Sequence, residues 1–554
     1  MSESSHSENT PKQQPQGLQT GAVVPPPKQW TPILCLIVVI AGIGFAYDTY
    51  TLLVMPLVAQ PALAELEHLD ADTATGFNTI RNWGTWILLA SAVGGGVFGL
   101  LGGYMTDRFG RQSVLLGSIL LSGAAAVASG FAVNGWMLLV CRCAAFIGVC
   151  VEFVAAVAWL AELFPNPKQR ERVLGWTQAC ASLGGVLVAG VYWLINQTYL
   201  SLPAIYDAHS QWRYALISSL VVGLPLLLIR PFLPESPVWK EKRAAGTLRR
   251  PSILDLFQPA FRRTSIVTAL LFFSCFGVAF GAIQLTPQLV PGLVPELKTL
   301  VPKRIAYEAS QKPEKLAGLK KTADDAAANL ANDPENQVLK DKADKAQKGY
   351  GLALAASKDE KKQEVLKTDI ERMDKLREDA RDATQFYQEM GGLLGRIVLA
   401  ILATMIVSRR LLLWLFQVPA LILVPLVFLF PAAGYFGPER SLPLFQWGIF
   451  IAGFFIVAQF SFWGNYLPRV YPTHLRGTGE SFAANIGARM FGTSAQAFTS
   501  FAMAPLLLSL IPTLALDPTA NTAYAAAATA FIVLVLGVIV TFWLPQPKEE
   551  VAQE

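Results

Sequence analysis

Charge is scarce along most of this 554-residue chain. Residues 296–389 hold 19 Lys+Arg and 19 Asp+Glu, so the other 460 positions carry only 47 of the 85 charged residues. A water-facing globular surface needs more, with about a quarter of residues charged in ordinary soluble domains. Histidine is equally sparse. His6, His68, His209 and His474 all lie outside the apolar runs, which excludes an imidazole proton relay inside them. The six cysteines (Cys35, Cys141, Cys143, Cys150, Cys180 and Cys275) all fall inside those runs. Their spacing fits neither a disulfide framework nor a zinc site, and small apolar packing residues is the plainer reading. No phosphate-cradling Gly-rich loop, metal-ligand cluster or nucleophile–base pair stands out. The expectation is therefore no metal, no cofactor and no enzyme. Residues 1–30 are polar and rich in Pro, Gln and Ser, without the basic-then-apolar pattern of a signal peptide, so the first apolar run is expected to act as its own insertion signal.

What is abundant is hydrophobic sequence. Apolar residues make up 53% of the chain and the mean hydropathy is +0.40. A bilayer core of ~30 Å is crossed by ~20 apolar residues in a helix. Twelve runs meet that length: 32–56, 84–104, 113–132, 137–160, 174–196, 212–232, 265–290, 391–408, 411–431, 446–467, 480–511 and 523–544. With both termini inside, the cytoplasmic segments hold 20 Lys+Arg and the short outer loops three, Arg81, Arg213 and Arg440. That bias orients the chain, and the long insert is left out of the count because long loops cross regardless of charge. The formal charge of +5 thus follows topology and implies no nucleic-acid partner. The expected partners are a lipid bilayer and a small molecule, with both termini cytoplasmic in a multi-pass protein of the cell (inner or plasma) membrane.

The chain repeats weakly. Trp159-Leu-Ala-Glu-Leu-Phe-Pro165 after run 4 is echoed by Tyr466-Leu-Pro-Arg-Val-Tyr-Pro472 after run 10, and Leu233-Pro234 by Leu544-Pro545. Two six-helix halves with a binding site at their interface follow from such duplication. The expected division is a disordered cytoplasmic tail at 1–30, an N-terminal half at 31–232, a cytoplasmic linker at 233–263, helix 7 at 264–290, an extracytoplasmic insert at 291–390, helices 8–12 at 391–545, and a cytoplasmic tail at 546–554. The insert is Ala/Lys/Glu/Asp-rich, broken near Pro334 and Gly349, and uncharged overall. It reads as a helical hairpin or short antiparallel coiled coil, a spacer or a protein-contact surface. Its last segment keeps an apolar stripe at Leu366, Ile370, Met373, Ala380, Ala383 and Tyr387.

Ionisable residues within membrane runs are costly and are functional candidates by default. These are Asp48, Arg142, Glu152, Arg396 and Arg489. Counting helical rise, Asp48 lies about 12 Å and Arg142 about 8 Å below the outer surface, at depths that allow them to pair. Glu152, about 15 Å deeper than Arg142, has no partner in its own half and is the coupling candidate. Arg396 and Arg489 have no balancing acid in the second half's runs, so they suit a substrate anion or first-half acids. Gln284, Gln288, Gln459 and Asn465 add neutral donors and acceptors.

Between runs 2 and 3 stands Gly102-Gly-Tyr-Met-Thr-Asp-Arg-Phe-Gly-Arg111. Gly103 and Gly110 permit close helix ends, Asp107 suits a helix cap, and Arg108 and Arg111 hold the turn at the inner surface. This turn resembles the signature between helices 2 and 3 of the major facilitator superfamily. Arg142, Gly148, Glu152, Glu162 and Pro165 resemble helix 4 of proton-coupled sialate- and carboxylate-type symporters and, less closely, of sugar porters. Pro234-Glu-Ser-Pro-Val-Trp239 resembles the close of the first half in both groups, and Arg476-Gly-Thr-Gly479 with Asn485 and Arg489 resembles the start of helix 11. The resemblance implies an all-α membrane protein of twelve transmembrane helices in two pseudo-symmetric halves, and secondary transport by proton symport of a small polar metabolite, an organic anion. It also implies a latch at Gly103, Asp107, Arg108, Gly110 and Arg111. Two alternatives stand beside it: a sugar or polyol carrier of the same fold, or a transporter-like membrane sensor or scaffold using the insert.

Overall fold

A computed structural model describes residues 28–546, apart from 70–72, 207–208, 230–231, 233, 247–251, 336 and 472–474. Most of the two expected tails and part of the expected linker lie outside the described residues. The first half is built from α1 (Pro32–Leu66), α2 (Ala74–Phe109), α3 (Arg111–Gly130), α4 (Gly135–Leu163), α5 (Pro167–Ala179), α6 (Ala181–Thr198) and α7 (Gln211–Ile229), followed by the short α8 (Pro237–Ala244). Next come α9 (Arg262–Gly281), α10 (Thr286–Leu293), α11 (Pro295–Gln311), α12 (Pro313–Asn332), α13 (Gln337–Lys358) and α14 (Glu360–Met405). The second half closes with α15 (Arg409–Leu429), α16 (Pro438–Val470), a broken helical stretch at 476–510, and α17 (Pro518–Thr541).

Helix starts follow local chemistry. Thr31, Thr73, Asn134 and Asp517 each stand just before a helix, and each side chain accepts an N–H of the first turn. Eleven helices among the described residues are long and apolar enough to cross a membrane, with α5 and α6 acting as one span and α9 and α10 as another. The twelfth is the stretch 476–510, which winds wide over Phe482–Gly492 and Phe498–Met503 and so is not one regular rod. Twelve spans in two halves result.

Each half has its own apolar core, around Ile119, Ala155 and Leu160 in the first and around Leu271, Phe416 and Trp463 in the second. The sequence echo is a structural one. Trp159 Nε1 donates to Pro234 O at 3.1 Å, and its counterpart Tyr466 donates its hydroxyl to Pro545 O at 2.5 Å. Each half thereby ties the end of its fourth span to the end of its sixth. The halves meet along two seams, α2 against the wide segment 482–492 and α14 against α6, and α16 also packs on α5.

The insert is richer than a hairpin. α11, α12, α13 and the first turns of α14 cluster around Ala306, Ala309, Ala353, Ala356 and Leu366. Leu366 and Met373 are buried as the stripe predicts, Ile370, Ala380 and Tyr387 are half-buried, and Ala383 is exposed. Ala383 leaves the stripe because the neighbouring Asp382 and Thr384 take the buried positions. The expected boundary at 390 falls inside α14, which runs unbroken through it.

α14 and α16 approach closely because glycine faces backbone. A Cβ added at Gly391 or Gly395 would strike the carbonyl groups of Phe450 or Phe454. Gly395→Leu is therefore expected to cost about 1–3 kcal/mol through overpacking and to lower the apparent melting temperature of detergent-solubilised protein. Gly349→Leu, where a Cβ meets nothing, is expected to leave it within the error of intrinsic tryptophan fluorescence melts.

Candidate functional site

A cavity of ≈ 140 Å³ lies where the two halves face each other. The first half supplies Asp48 from α1, Phe153 from α4 and the helix break around Gln178 and Ser182. The second half supplies Phe276 and Gln284, then Gln388, Glu389 and Arg396 from α14, Phe460 from α16, and Glu480 and Arg489 from the broken stretch. The wall is mostly apolar, aliphatic and aromatic together, with charged groups inserted at a few points.

Two of those points are arginines of the second half that reach across to carbonyls of the first. Arg396 Nη1 donates to Gln178 O at 2.6 Å, and its guanidinium lies 5.8 Å from the Phe460 ring centroid. The chain breaks between α5 and α6 at Cys180, so Gln178 O sits at a helix end, where carbonyls lack the usual intrahelical partner. Arg489 Nη1 donates to Val149 O at 3.3 Å and to Asn485 Oδ1 at 3.2 Å, with the guanidinium 4.6 Å above the Phe153 ring. Arg489 belongs to the wide winding at 482–492, a form often found at functional sites. Ring faces attract cations, and each arginine is placed over one. Arg396 Nε and Gln284 Oε1 are buried and have no hydrogen-bond partner among the described residues.

Arg142 is buried and donates to Thr51 O at 2.7 Å. Asp48 faces the cavity, and it and Arg489 both act electrostatically on the Cys150 thiol. Glu152 is buried but does not line the cavity; it and Asp48 both act on the Tyr47 hydroxyl, which hydrogen-bonds Ser122 Oγ at 2.9 Å. Gln459 is held inside the second half between Cys275 Sγ (3.1 Å) and Phe455 O (3.0 Å), and Gln288 is half-buried off the cavity wall. The side chain of Asn465 lies outside the described residues, as does that of Asp107.

The second half is not devoid of acids, contrary to the sequence reading. Glu389 and Glu480 are buried at the cavity beside Arg396 and Arg489. Glu389 falls within the expected insert at 291–390, yet its spacing of seven from Arg396 puts both on one face of α14. Further along that face, Tyr192 Oη donates to Glu378 Oε2 at 2.9 Å, Asn196 Nδ2 to Asp382 Oδ2 at 2.8 Å, and Arg381 to Glu378, Pro287 O and Gln60. Arg81, read as an outer-loop residue, is buried in α2 and donates to Thr522 at 3.1 Å across the seam.

The turn at 103–111 is a first-half assembly. Gly103 is half-buried beside Ser481 Oγ of the second half. Gly110 has φ +97°, a conformation that favours glycine. Arg111 pairs with Glu162 at 2.7 Å and donates to Thr106 O, while the exposed Arg108 donates to Tyr104 Oη at 3.3 Å. The start of α3 lacks a cap of its own and takes one from Glu235, whose carboxylate accepts Arg111 N and Gln112 N, each at 3.0 Å.

With this geometry in place, the similarities to known proteins can be stated. The model of the "Sugar (and other) transporter" family matches residues 34–250. The sialic acid transporter NanX of Escherichia coli is 24% identical over 45% of this chain and 55% of its own length. A probable 4-methylmuconolactone transporter of Cupriavidus pinatubonensis is 28% identical over 34% and 41%, and the arabinose-proton symporter of Bacillus subtilis 26% over 28% and 33%. The chain thus spans between a third and about half the length of these curated relatives. The solved structure of the major facilitator superfamily proton:xylose symporter XylE superposes with a TM-score of 0.53 at 17% identity, covering 93% of this chain and 96% of that one. The protein is a membrane protein of the major facilitator fold. It resembles sialate and sugar porters.

Glu235→Gln replaces one charged cap of α3 by a neutral amide. The expected cost is about 1 kcal/mol of first-half stability, read as a lower melting temperature, while ligand affinity at the distant cavity stays unchanged.

Proposed function

We propose that the protein is a secondary transporter that moves an organic anion together with protons across the cell membrane, with both termini on the cytoplasmic side, and that it is not an enzyme. The observation that carries this reading is the cavity at the seam, where two buried arginines stand beside aromatic rings and Arg396 Nε has no hydrogen-bond partner among the described residues. A guanidinium in a site poor in water binds a carboxylate by charge-assisted hydrogen bonds. The aromatic wall suits the apolar body of the same molecule. Phe276, Phe460 and Trp463 stand on one side and Phe45 and Phe153 on the other.

Anion import needs a cation to move with it, and the acids near the cavity supply proton sites. In the first half these are Asp48 at the wall and Glu152 behind it, linked electrostatically through Tyr47. Arg142, fixed to Thr51 O, holds the stretch of α1 that carries Asp48. The turn at 103–111 is the proposed conformational latch, with Arg111 and Glu162 as its charged pair. Among the relatives one is named a sialic acid transporter, which supports an acidic cargo, and one an arabinose-proton symporter, which supports proton coupling. The helical cluster of α11, α12, α13 and the first turns of α14, within 291–390, is proposed to lie outside the membrane on the extracytoplasmic face.

A sugar or polyol carrier is the competing reading, supported by the xylose and arabinose proteins among the similarities. Binding in detergent to benzoate, N-acetylneuraminate, xylose and inositol separates the two. The carboxylates are expected to bind, and Arg396→Gln and Arg489→Gln are each expected to weaken that binding about 10- to 100-fold, since a hydrogen bond to a charged group contributes about 1.5–3 kcal/mol. Binding of the neutral sugars alone, indifferent to either arginine, overturns the organic-anion reading.

A further inference from the structure

We propose that Glu389 and the substrate carboxylate compete for the positive charge of Arg396, so that a proton on Glu389 is the condition for binding the anion. The inference rests on the organic-anion reading above and names the acid that couples it to protons. Glu389 and Arg396 lie two turns apart on one face of α14, about 10 Å in rise, and both line the cavity. They act on each other electrostatically, yet among the described residues no ion pair in contact joins them. Arg396 is anchored at one end by Gln178 O and keeps an unpartnered Nε. The guanidinium is therefore held in place while part of it stays available.

The surroundings of Glu389 are built for a carboxylate. Gln385 Nε2 and Gln388 Nε2 both donate to Oε1, at 2.8 and 2.9 Å. Oε2 lies against Gly185 of α6, where any Cβ would overlap the carboxyl group. Glycine at 185 thus makes the space that the carboxylate fills. Besides Arg396, the charged and titratable groups around the pair are Asp48, Glu480 and Arg489 on the cavity wall and the Cys180 thiol, which acts on Arg396 from the helix break.

Charge counting gives the mechanism. With Glu389 ionised, Arg396 is already neutralised, and an incoming carboxylate would add an unbalanced negative charge to a buried site. A proton on Glu389 removes that charge, and one substrate carboxylate restores neutrality. Loading one anion then takes up one proton, and releasing both on the other side returns the ionised pair. The proton moves from the outer solution to the Glu389 carboxyl and on to the inner solution, and no covalent bond to the substrate changes. Binding must strengthen as pH falls.

The test measures benzoate and N-acetylneuraminate affinity of purified protein across pH, together with uptake into proteoliposomes carrying an imposed pH gradient. In the wild type, Kd is expected to rise about tenfold per pH unit once Glu389 has released its proton. Glu389→Gln, which keeps size and hydrogen bonding, is expected to bind with a pH-independent Kd, to keep counterflow exchange and to lose accumulation. Gly185→Ala, which displaces the carboxyl, is expected to shift the pH at which affinity falls while binding persists. If wild-type affinity depends on pH and Glu389→Gln retains that dependence, Glu389 is not the coupling acid, and the organic-anion reading survives. A wild type that binds neither carboxylate at any pH overturns both.

Discussion

The seam between the halves is governed by how buried guanidinium groups are satisfied. A cation taken out of water is tolerable only with acceptors around it, and the seam provides main-chain carbonyls. Arg396 uses Gln178 O and Arg489 uses Val149 O. Within the first half the ties are ion pairs instead, Arg111 with Glu162 at 2.7 Å and Arg213 with Glu65 at 3.0 Å. The distinction has a physical consequence. Breaking a buried ion pair strands two charges, whereas a guanidinium leaving one carbonyl strands only itself and can be met by a ligand carboxylate. The carbonyl-anchored arginines are thus the charged groups best able to exchange partners.

Aromatic rings complete that environment. The rings of Phe460 and Phe153 lie under the two cavity guanidiniums and supply attraction without fixing a hydrogen-bond geometry. They also keep the local polarity low, which strengthens any charged contact made there. An apolar cavity with a small number of placed polar groups is the usual form of a small-molecule site. In this cavity the polar groups come from both halves, so the ligand's contacts depend on how the halves sit.

Much of the fold was legible because hydropathy runs and turn chemistry are local signals. The twelve spans, the Trp159/Tyr466 echo and the helical character of the insert all come from residues near one another in sequence. The site was less legible, because it depends on azimuth and on which helix faces which. Helical rise gave the depths of Asp48 and Arg142, but not that Arg142 donates to Thr51 O or that Asp48 lines the cavity. Gln459 and Gln288 have the right residue type on the wrong face. Glu389 was hidden by a different effect. It closes a segment whose charges cancel, and a window average reads 378–389 as a soluble helix. Glu378, Asp382, Gln385 and Glu389 form a stripe at 3- and 4-residue spacing, and its continuation seven residues on to Arg396 inside the apolar run was the available signal.

That stripe constrains how the halves can move. Glu378, Arg381, Asp382 and Glu389 are buried, and their partners Tyr192 and Asn196 and their close neighbour Gly185 are on α6. Separating α14 from α6 would leave these buried groups without their partners, which is costly for uncompensated charges. The other seam is limited by volume instead. Gly96 and Gly99 of α2 are close enough to Met490 and Asn485 that a Cβ on either would overlap them. One seam is thus held by polar groups and the other by close approach at small residues. The cavity lies between them, with Arg396 rooted at one and Arg489 at the other, so the separation of those two cations follows how the halves sit.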